Sequence, residues 1–274
     1  PYTDAAMNKY LQEAEFRNTD WFDLLFNNNI MQNHSVSISS GSEKAALYAS
    51  VSVMNDPGWT KDSKVERYTA NMNATFNISK NLSVSILTNG SYRDQQAPGT
   101  LARTTDVVSG AVNRSFDINP FSYAMNTSRT LDPNDTYTRN YAPFNIFKEL
   151  DNNYIDLSVA DMKFQGEVSW KPVLGLEFHL LGAYRVQKTS QEHFVLNESN
   201  QAEAYRAGVD DPNIMYNNTY LYQDPDKPNS LPISVMPTGG IYTRDDYMVR
   251  QLDFRGTVQY NKVWNDTHIM NLFG

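Results

Sequence analysis

Two pairs of adjacent carboxylates are the residues of this chain that come closest to a hydrolytic site. Asp210 and Asp211 form one pair, and Asp245 and Asp246 form the other. Paired carboxylates can serve as acid and as base or nucleophile in glycoside hydrolysis. Adjacent residues of a strand point to opposite faces, however, so sequence neighbours rarely share a site. We therefore predict no catalytic residues and no enzyme activity, with a β-rich glycoside hydrolase as the less favoured alternative.

Metal binding has no better support than hydrolysis. The chain has no cysteine, which excludes thiolate sites and disulfides. Oxygen-rich runs at 132–135 and 224–226 lack the spacing and the glycine of a calcium loop, which favours solvated turns. We predict no metal and no cofactor. The four histidines lack the spacing of zinc ligands: His34, His179, His193 and His268.

Tyrosines in a predicted long loop offer a binding surface of another kind. A tyrosine ring combines a flat apolar face with a polar tip, which suits stacking on sugar rings or docking of a partner protein. Packing of the loop against itself is the plainer role for any one of them. The candidate substrate or partner contacts are Tyr205, Tyr216, Tyr220, Tyr222 and Tyr242.

Composition limits the class of partner. The 274 residues carry a formal net charge of −8 and contain no cluster of Lys and Arg, which argues against nucleic acid. A mean hydropathy of −0.56 is too polar for a helical membrane protein. No run of the sequence approaches the roughly 20 apolar residues of a spanning helix. A transmembrane barrel escapes both tests, because every second residue of its strands can be polar.

The elements that position these residues are long strands with one apolar and one polar face. Ten residue steps of about 3.3 Å, tilted by about 40°, cover roughly 25 Å, the height of the apolar band on an outer-membrane barrel. The pattern returns in 82–92, 176–186 and 250–260. In the clearest strand, apolar side chains occupy every second position: Tyr68, Ala70, Met72, Ala74, Phe76 and Ile78.

Loop lengths add a second regularity. Short links at 41–44, 79–81, 172–175 and 264–266 alternate with longer ones near 56–63, 95–153 and 191–245. Short turns at one end and long loops at the other are typical of outer-membrane barrels. The predicted strands are 33–40, 45–55, 64–79, 82–94, 154–171, 175–190, 246–263 and 267–274.

We therefore predict an all-β fold, a partial transmembrane antiparallel up-and-down β-barrel of about eight strands, with long extracellular loops. Residues 1–32 form a lead-in segment with a short helix, and 33–274 form the barrel wall. The first and last strands are predicted not to pair. Because no export signal opens the chain and a strand closes it, we expect a segment of something larger.

One strand breaks the alternation. In 154–171, Leu157 and Val159 have the opposite parity to Phe164. A bulge near Val159–Asp161, or emergence of this part above the membrane, would account for the change of parity. A helix over 143–150 is predicted to lie across the mouth of the barrel.

The polar rows are predicted to face the lumen of the barrel. Hydrated polar residues are the default on that surface, so a structural role is the plainer one for each of them. The predicted lumen-facing residues are Arg67, Asn71, Arg93, Glu167, Arg185 and Arg255.

An extracellular carbohydrate-binding β-sandwich is the main alternative, because long alternating strands also occur there. A sandwich would bury the apolar rows, including Ala74 and Leu180, beneath a second sheet. A barrel would expose them together on one surface. The residues that discriminate are Tyr68, Met72, Phe76, Val84, Ile86, Phe178 and Phe254.

The region 18–70 resembles the start of the barrel in SusC/RagA-like TonB-dependent transporters. The family strings NTDW, QNH, SGGSEK, YYAS and ERYTA have counterparts at conserved spacing, with Ser40 in place of one glycine. Beyond residue 94 the likeness is one of architecture. The matching runs are Asn18-Thr19-Asp20-Trp21, 32–44, Tyr48-Ala49-Ser50 and Glu66-Arg67-Tyr68-Thr69.

The resemblance implies a barrel of about 22 strands with a plugged lumen, anchored in the lipid of a Gram-negative outer membrane. Such proteins import glycans or peptides. They work with a SusD-like surface lipoprotein and with TonB, which acts through a part of the protein outside this chain. The implied function is therefore nutrient uptake, with this chain as an early segment of the barrel wall.

Overall fold

The computed structural model describes residues 3–99, 103–105, 112–114, 118–208, 211–264 and 268–274. The helices are α1 (Asp4–Phe16), α2 (Trp21–Leu25), α3 (Pro120–Asn126), α4 (Ile146–Asn152), α5 (Asn200–Ala204) and α6 (Pro212–Asn217). The first eight strands are β1 (Gln32–Gly41), β2 (Ala45–Asp56), β3 (Lys64–Ser79), β4 (Leu82–Pro98), β5 (Arg103–Thr105), β6 (Val112–Arg114), β7 (Tyr137–Arg139) and β8 (Ala142–Phe144). The last four are β9 (Asn153–Val173), β10 (Leu176–Val195), β11 (Ile241–Trp264) and β12 (His268–Phe273).

Eight of these strands form one antiparallel meander in the order β1-β2-β3-β4-β9-β10-β11-β12. The eight predicted strands are confirmed, and the fold is all-β. Strands β1 and β12 lie at opposite edges of the sheet and do not pair in the described part of the chain, as predicted. The connection from β4 to β9 carries the two small ribbons β5-β6 and β7-β8.

The strand register, which shifts only next to short turns at Asn77–Ser79 and Leu176–Phe178, gives the sheet two chemically different faces. Tyr68 lies opposite Tyr92, and Ala74 opposite Ile86, so each apolar row of one strand continues onto the next. We call this the apolar face, and the opposite side the polar face. The apolar row continues across β9, β10 and β11, where Gly182 lies opposite both Gly166 and Phe254.

The apolar face is exposed. Leu252 and Phe254 are 81% and 80% accessible, and Leu180 is 47% accessible. Tyr68, Met72, Phe76 and Ile86 are likewise exposed, while Val84 and Phe178 are half-buried on the same face. A sandwich would cover these side chains, so the structure contradicts the sandwich alternative.

Ala74 is buried, but by neighbours within its own sheet. Its register partners Leu47 and Ile86 flank it on both sides and are themselves exposed. A small side chain between larger ones loses its accessibility without a second layer of protein. The burial of Ala74 is therefore compatible with an open apolar face.

The predicted bulge near Val159–Asp161 is wrong. Arg93 and Thr189 lie opposite Val159, and the ladders of β9 with β4 and β10 run through this point without a shift. Because β9 is held in register on both sides, an extra residue would displace two ladders at once. The irregularity falls instead between Leu176 and Phe178. Leu157 and Val159 therefore keep their parity and lie on the polar face.

Boundaries at the long-loop end differ from those predicted. Strands β10 and β11 pair out to Val195 and Ile241, so the predicted loop 191–245 shortens to 196–240. The predicted helix 143–150 is the shorter α4, whose cap Asn145 accepts a hydrogen bond from Phe147 N at 3.0 Å. Part of the predicted link 264–266 lies outside the described residues.

Among the described helices, none has the length and hydrophobicity needed to cross a bilayer.

A charge at mid-height of the apolar face is expected to destabilise the folded protein. In the full-length protein folded into lipid vesicles, Leu180→Arg should cost about 2–4 kcal/mol, because the guanidinium would face hydrocarbon. The matched control is Leu181→Arg, one residue along on the polar face between Glu167 and Arg255. Urea unfolding of both variants is the measurement. Equal losses of stability would contradict the assignment of the two faces.

Candidate functional site

From mid-height to the short turns, the polar face of β1 to β4 is a surface of hydroxyl and amide groups, and Arg67 and Arg93 lie nearer its long-loop end. Asn89 donates to Asn71 Oδ1 at 2.8 Å, and Asn71 donates in turn to Ser50 Oγ at 3.3 Å. Nearer the short turns, the hydroxyls of Thr75 and Ser85 are 3.0 Å apart. These neutral groups hydrogen-bond along rows that cross the strands, as polar cross-strand pairs do.

The polar face of β9 to β11 is charged instead. Arg185 Nε donates to Asp161 Oδ1 at 2.9 Å. Near the short turn, Glu177 Oε1 lies 3.1 Å from Lys171 Nζ and 2.9 Å from His179 Nε2. These pairs are partly exposed, so each adds little to stability. Their arrangement gives this half of the face ion pairs, which the described residues of the other half lack.

The structure places all six predicted lumen residues on this one face. Arg67 lies opposite Arg93, Asn71 opposite Asn89, and Arg185 opposite Lys163. Leu181 has Glu167 on one side and Arg255 on the other. The shared face follows from the strand register. That it faces a lumen stays a prediction.

The lead-in segment packs at the long-loop end of the sheet. Trp21 and Leu25 of α2 are buried with Phe144 and Ile146 in a core that also contains Ile118, Ala124 and Leu150. The Trp21 indole donates from Nε1 to the Ser128 carbonyl at 3.0 Å. Its ring meets that of Tyr123 edge-on, with centroids 5.2 Å apart.

Backbone contacts tie the same segment to two different loops. Thr19 N donates to the Arg129 carbonyl at 2.9 Å, and Asn27 N donates to the Trp59 carbonyl at 2.7 Å. Arg17 pairs with Asp132 at 3.0 Å. The Asn18-Trp21 motif therefore has a structural role here, in holding the loop at 118–152, and the residues from Leu25 to Asn27 hold the loop at 57–63.

A buried polar network joins the two longest loops, and our sequence reasoning missed it. Glu149 is 2% exposed and accepts hydrogen bonds from Asn153 Nδ2 at 2.9 Å and from Asn200 N at 2.6 Å. The side-chain amide of Asn200 also donates from Nδ2 to the Arg139 carbonyl at 2.7 Å. His193 Nε2 lies 2.7 Å from Asn153 Oδ1. Apart from Glu149 and Asn153, these partners are distant in sequence, so no local pattern marks the network.

The environment of Glu149 changes its ionisation. Burial raises the pKa of the Glu149 carboxyl above its ordinary value, while the hydrogen bonds from Asn153 and Asn200 act in the opposite direction. A folded-state pKa above the unfolded one means that the folded loops bind the proton more tightly. The stability from this group is therefore greatest in acid and is lost as pH rises through the raised pKa.

The five candidate tyrosines do not form one surface. Tyr205 and Tyr220 are half-buried with ring centroids 5.5 Å apart, so they pack within the loop. Tyr216 and Tyr222 are 66% and 49% exposed. Tyr242 follows the parity of the apolar face, and its ring lies 5.1 Å from that of Phe194. Contact with a substrate or partner stays a prediction for all five.

The carboxylates that resembled a hydrolytic or metal site have local roles. Asp245 and Asp246 point to opposite faces of β11, and Asp211 caps α6 by accepting from Asn213 N at 2.9 Å. Asp210 lies outside the described residues. In turns, Asp132 and Asp224 accept from backbone N–H groups two residues ahead. Within the described ranges, no group of three or more potential ligands could hold a metal ion.

Comparison with known proteins agrees with this geometry. No family model matches the chain. The TonB-dependent receptor P26 of Formosa agariphila is 37% identical over 83 residues, which is 30% of this chain and 8% of the receptor. The chain therefore spans less than a tenth of that relative.

Solved structures show the same fold. The RagAB peptide transporter matches 93% of this chain and 25% of its own, with a TM-score of 0.61 and 15% identity. The RagAB peptide importer in its 'closed-closed' state matches over the same shares with a TM-score of 0.63. The partial-barrel fold and the resemblance to SusC/RagA-like TonB-dependent transporters are thereby confirmed.

Removal of the Trp21 ring should loosen the long-loop end. Trp21→Ala is expected to destabilise this core by about 3–5 kcal/mol, because it leaves a cavity and an unpaired carbonyl. The control is Phe22→Ala, which removes a neighbouring ring that is already exposed. Limited proteolysis of the loop at 118–152 in the full-length protein is the measurement. If both variants are cleaved at the wild-type rate, α2 does not anchor this loop.

The contribution of Glu149 to the loop network should weaken as pH rises, whereas that of His193, whose pKa burial lowers, acts in the opposite direction. Protection of the backbone around Asn200 from hydrogen exchange, corrected for the intrinsic rate, is expected to fall as pH rises from about 4, the ordinary range of a glutamate. Glu149→Gln should abolish this fall, because it has no proton to lose, and should leave only the opposite effect of His193. Glu198→Gln, at an exposed carboxylate that pairs loosely with Lys148, is the control and should retain it. A fall in protection that survives in Glu149→Gln would assign the effect to another group.

Proposed function

We propose that this chain, a segment resembling SusC/RagA-like TonB-dependent transporters, forms part of the wall and mouth of an outer-membrane importer. The observation that carries the proposal is the exposed apolar face, which continues in register from β3 to β11. Soluble proteins rarely expose so extended an apolar surface, whereas a barrel presents one to lipid. The location proposed is therefore the outer membrane of a Gram-negative cell.

Aromatic side chains support a definite position in the bilayer. Tyr68 and Tyr92 lie opposite each other near the long-loop end of the apolar face. At the short-turn end, the rings of Trp170 and Phe178 stack 5.5 Å apart. Amphipathic rings at the two levels where hydrocarbon meets water are expected of such barrels. The long loops would then be extracellular.

The polar face would line the path of the cargo or contact the plug. Its hydroxyl and amide half can exchange hydrogen bonds with sugars or with peptide groups equally well. The cargo we propose is accordingly an oligosaccharide or a peptide. Similarity to structures described as peptide importers supports the peptide, at an identity that establishes only the fold.

The loops at the mouth would meet a partner protein. The lead-in segment and the loops at 57–63, 118–152 and 196–240 are joined by buried contacts, which gives a partner a preorganised surface. The similar structures are described as the RagAB peptide importer in 'closed-closed' and 'open-open' states, which supports a partner at this end. We propose a SusD-like surface lipoprotein as the partner, and TonB as the energy source acting on a part outside this chain.

The exposed loop tyrosines provide a test of cargo contact. Deletion of the whole gene should abolish growth on the cargo class, glycan or peptide, and the full-length protein should restore it. The deletion strain is also complemented with the double variant Tyr216→Ala, Tyr222→Ala. Its uptake of the cargo should be slower by about fivefold or more, because each ring contributes roughly 0.5–1.5 kcal/mol by stacking. Tyr10→Ala removes an exposed tyrosine of α1 and is the control.

Two results would count against the proposal at different levels. Unchanged uptake in the double variant would remove Tyr216 and Tyr222 from the contact surface and leave the importer intact. A deletion strain that grows normally on every glycan and peptide tested would contradict import itself.

A further inference from the structure

Two arginines on the polar face lie directly opposite each other on neighbouring strands. Arg67 of β3 and Arg93 of β4 are register partners. Like charges placed opposite each other in an antiparallel pair destabilise it. An anion held between the two guanidinium groups would turn this repulsion into attraction.

The described part of the chain provides no acid for either arginine. The one hydrogen bond of the exposed Arg67 runs from Nη2 to Met54 Sδ at 3.6 Å. Asp161 lies two residues from Val159, the partner of Arg93 on β9, but it is held by Arg185. The guanidinium groups of Arg67 and Arg93 therefore keep N–H donors with which they can bind an anion.

One of these donors is buried. Arg93 Nε has no hydrogen-bond partner among the described residues and is withdrawn from solvent. Its strand neighbour is Val159, one of the two apolar residues that break the sequence pattern by facing the polar side. A buried donor left unpaired is costly, most of all on a charged group, and such groups in native proteins call for an explanation.

We infer that Arg67 and Arg93 form a carboxylate-binding site on the polar face, with Val159 and Leu157 as its apolar side. The guanidinium fork matches the two oxygens of a carboxylate. Glu66 and Asp94 are also register partners, on the opposite face, and they balance the charge of the two arginines locally. A monoanion therefore suits the site better than a doubly charged phosphate.

The inference rests on the proposed function in one respect, namely that the polar face lines an enclosed lumen. Two sources of the carboxylate are then open. An acidic side chain from another part of the longer protein would make the site a fixed contact between wall and plug. A carboxylate of the cargo would make it a selectivity site for acidic substrates.

Chemical modification distinguishes these sources. The purified full-length protein is treated with phenylglyoxal, which reacts with free guanidinium groups, and each arginine is followed by mass spectrometry. The probes are N-acetylalanine and its amide, which differ only in the carboxylate. Arg93→Gln tests the pair, Arg93→Lys tests the need for the fork, and the exposed Arg255 is the internal control.

Three results are informative. If the protein supplies the carboxylate, Arg67 is modified about tenfold more slowly in the wild type than in Arg93→Gln, without any probe, as expected for a charge-assisted hydrogen bond. If a solute supplies it, N-acetylalanine slows the reaction of Arg67 by a similar factor, its amide does not, and Arg93→Gln abolishes the protection. In both cases Arg93→Lys restores protection only in part, and Arg255 does not respond.

The inference is overturned if Arg67 reacts equally fast in the wild type and in Arg93→Gln under every condition, or if the amide protects as well as the acid. Either outcome would exclude the carboxylate site at Arg67 and Arg93 and would say nothing against import. A failure of the import proposal would be seen separately, in the growth of the deletion strain.

Discussion

The hydrogen-bonded register of neighbouring strands is the constraint on which the rest of this structure depends. Because side chains alternate along each strand, an unbroken ladder extends every apolar position into a row that crosses the sheet. The rows place Phe254 and Ile86 on one face and Arg255 and Asn89 on the other. A slip of one residue in any ladder would exchange the two faces beyond it. The irregularities at Asn77–Ser79 and Leu176–Phe178 lie next to short turns and leave the apolar rows above them intact.

A second level of organisation lies in the loops, where hydrophobic burial and hydrogen bonds replace the ladder. The fully buried large side chains of the chain gather mostly there, around Phe144 and Leu25, and few lie on the sheet. Glu149, Asn153 and Asn200 satisfy one another and the backbone between the loops. In the importer that we propose, the wall would stay in lipid, and the separately packed mouth would meet cargo and partner.

The sequence predicts the strands of the sheet much better than it predicts the contacts between the loops. Period-two alternation reveals the eight strands and their faces, because consecutive residues of a strand lie on opposite faces and differ in polarity accordingly, as at Tyr68–Ile78. The loop network joins residues such as Glu149 and Asn200 that are 51 positions apart, so it leaves no local pattern. The bulge at Val159–Asp161 was predicted wrongly because parity alone cannot separate an inserted residue from an apolar residue on the polar face. Neighbouring strands decide that question, and they hold Val159 opposite Arg93.

The most direct test of this account is lipid contact along a single strand. The chain contains no cysteine, so single cysteines can be placed at Leu252, Asp253, Phe254 and Arg255, with any others in the longer protein removed. Each is labelled with a fluorophore in lipid vesicles, and quenching by nitroxides on the lipid chains is measured. Strong quenching at 252 and 254 with weak quenching at 253 and 255 is the predicted result. Equal quenching at all four positions, or none, would contradict a wall that faces lipid on one side only.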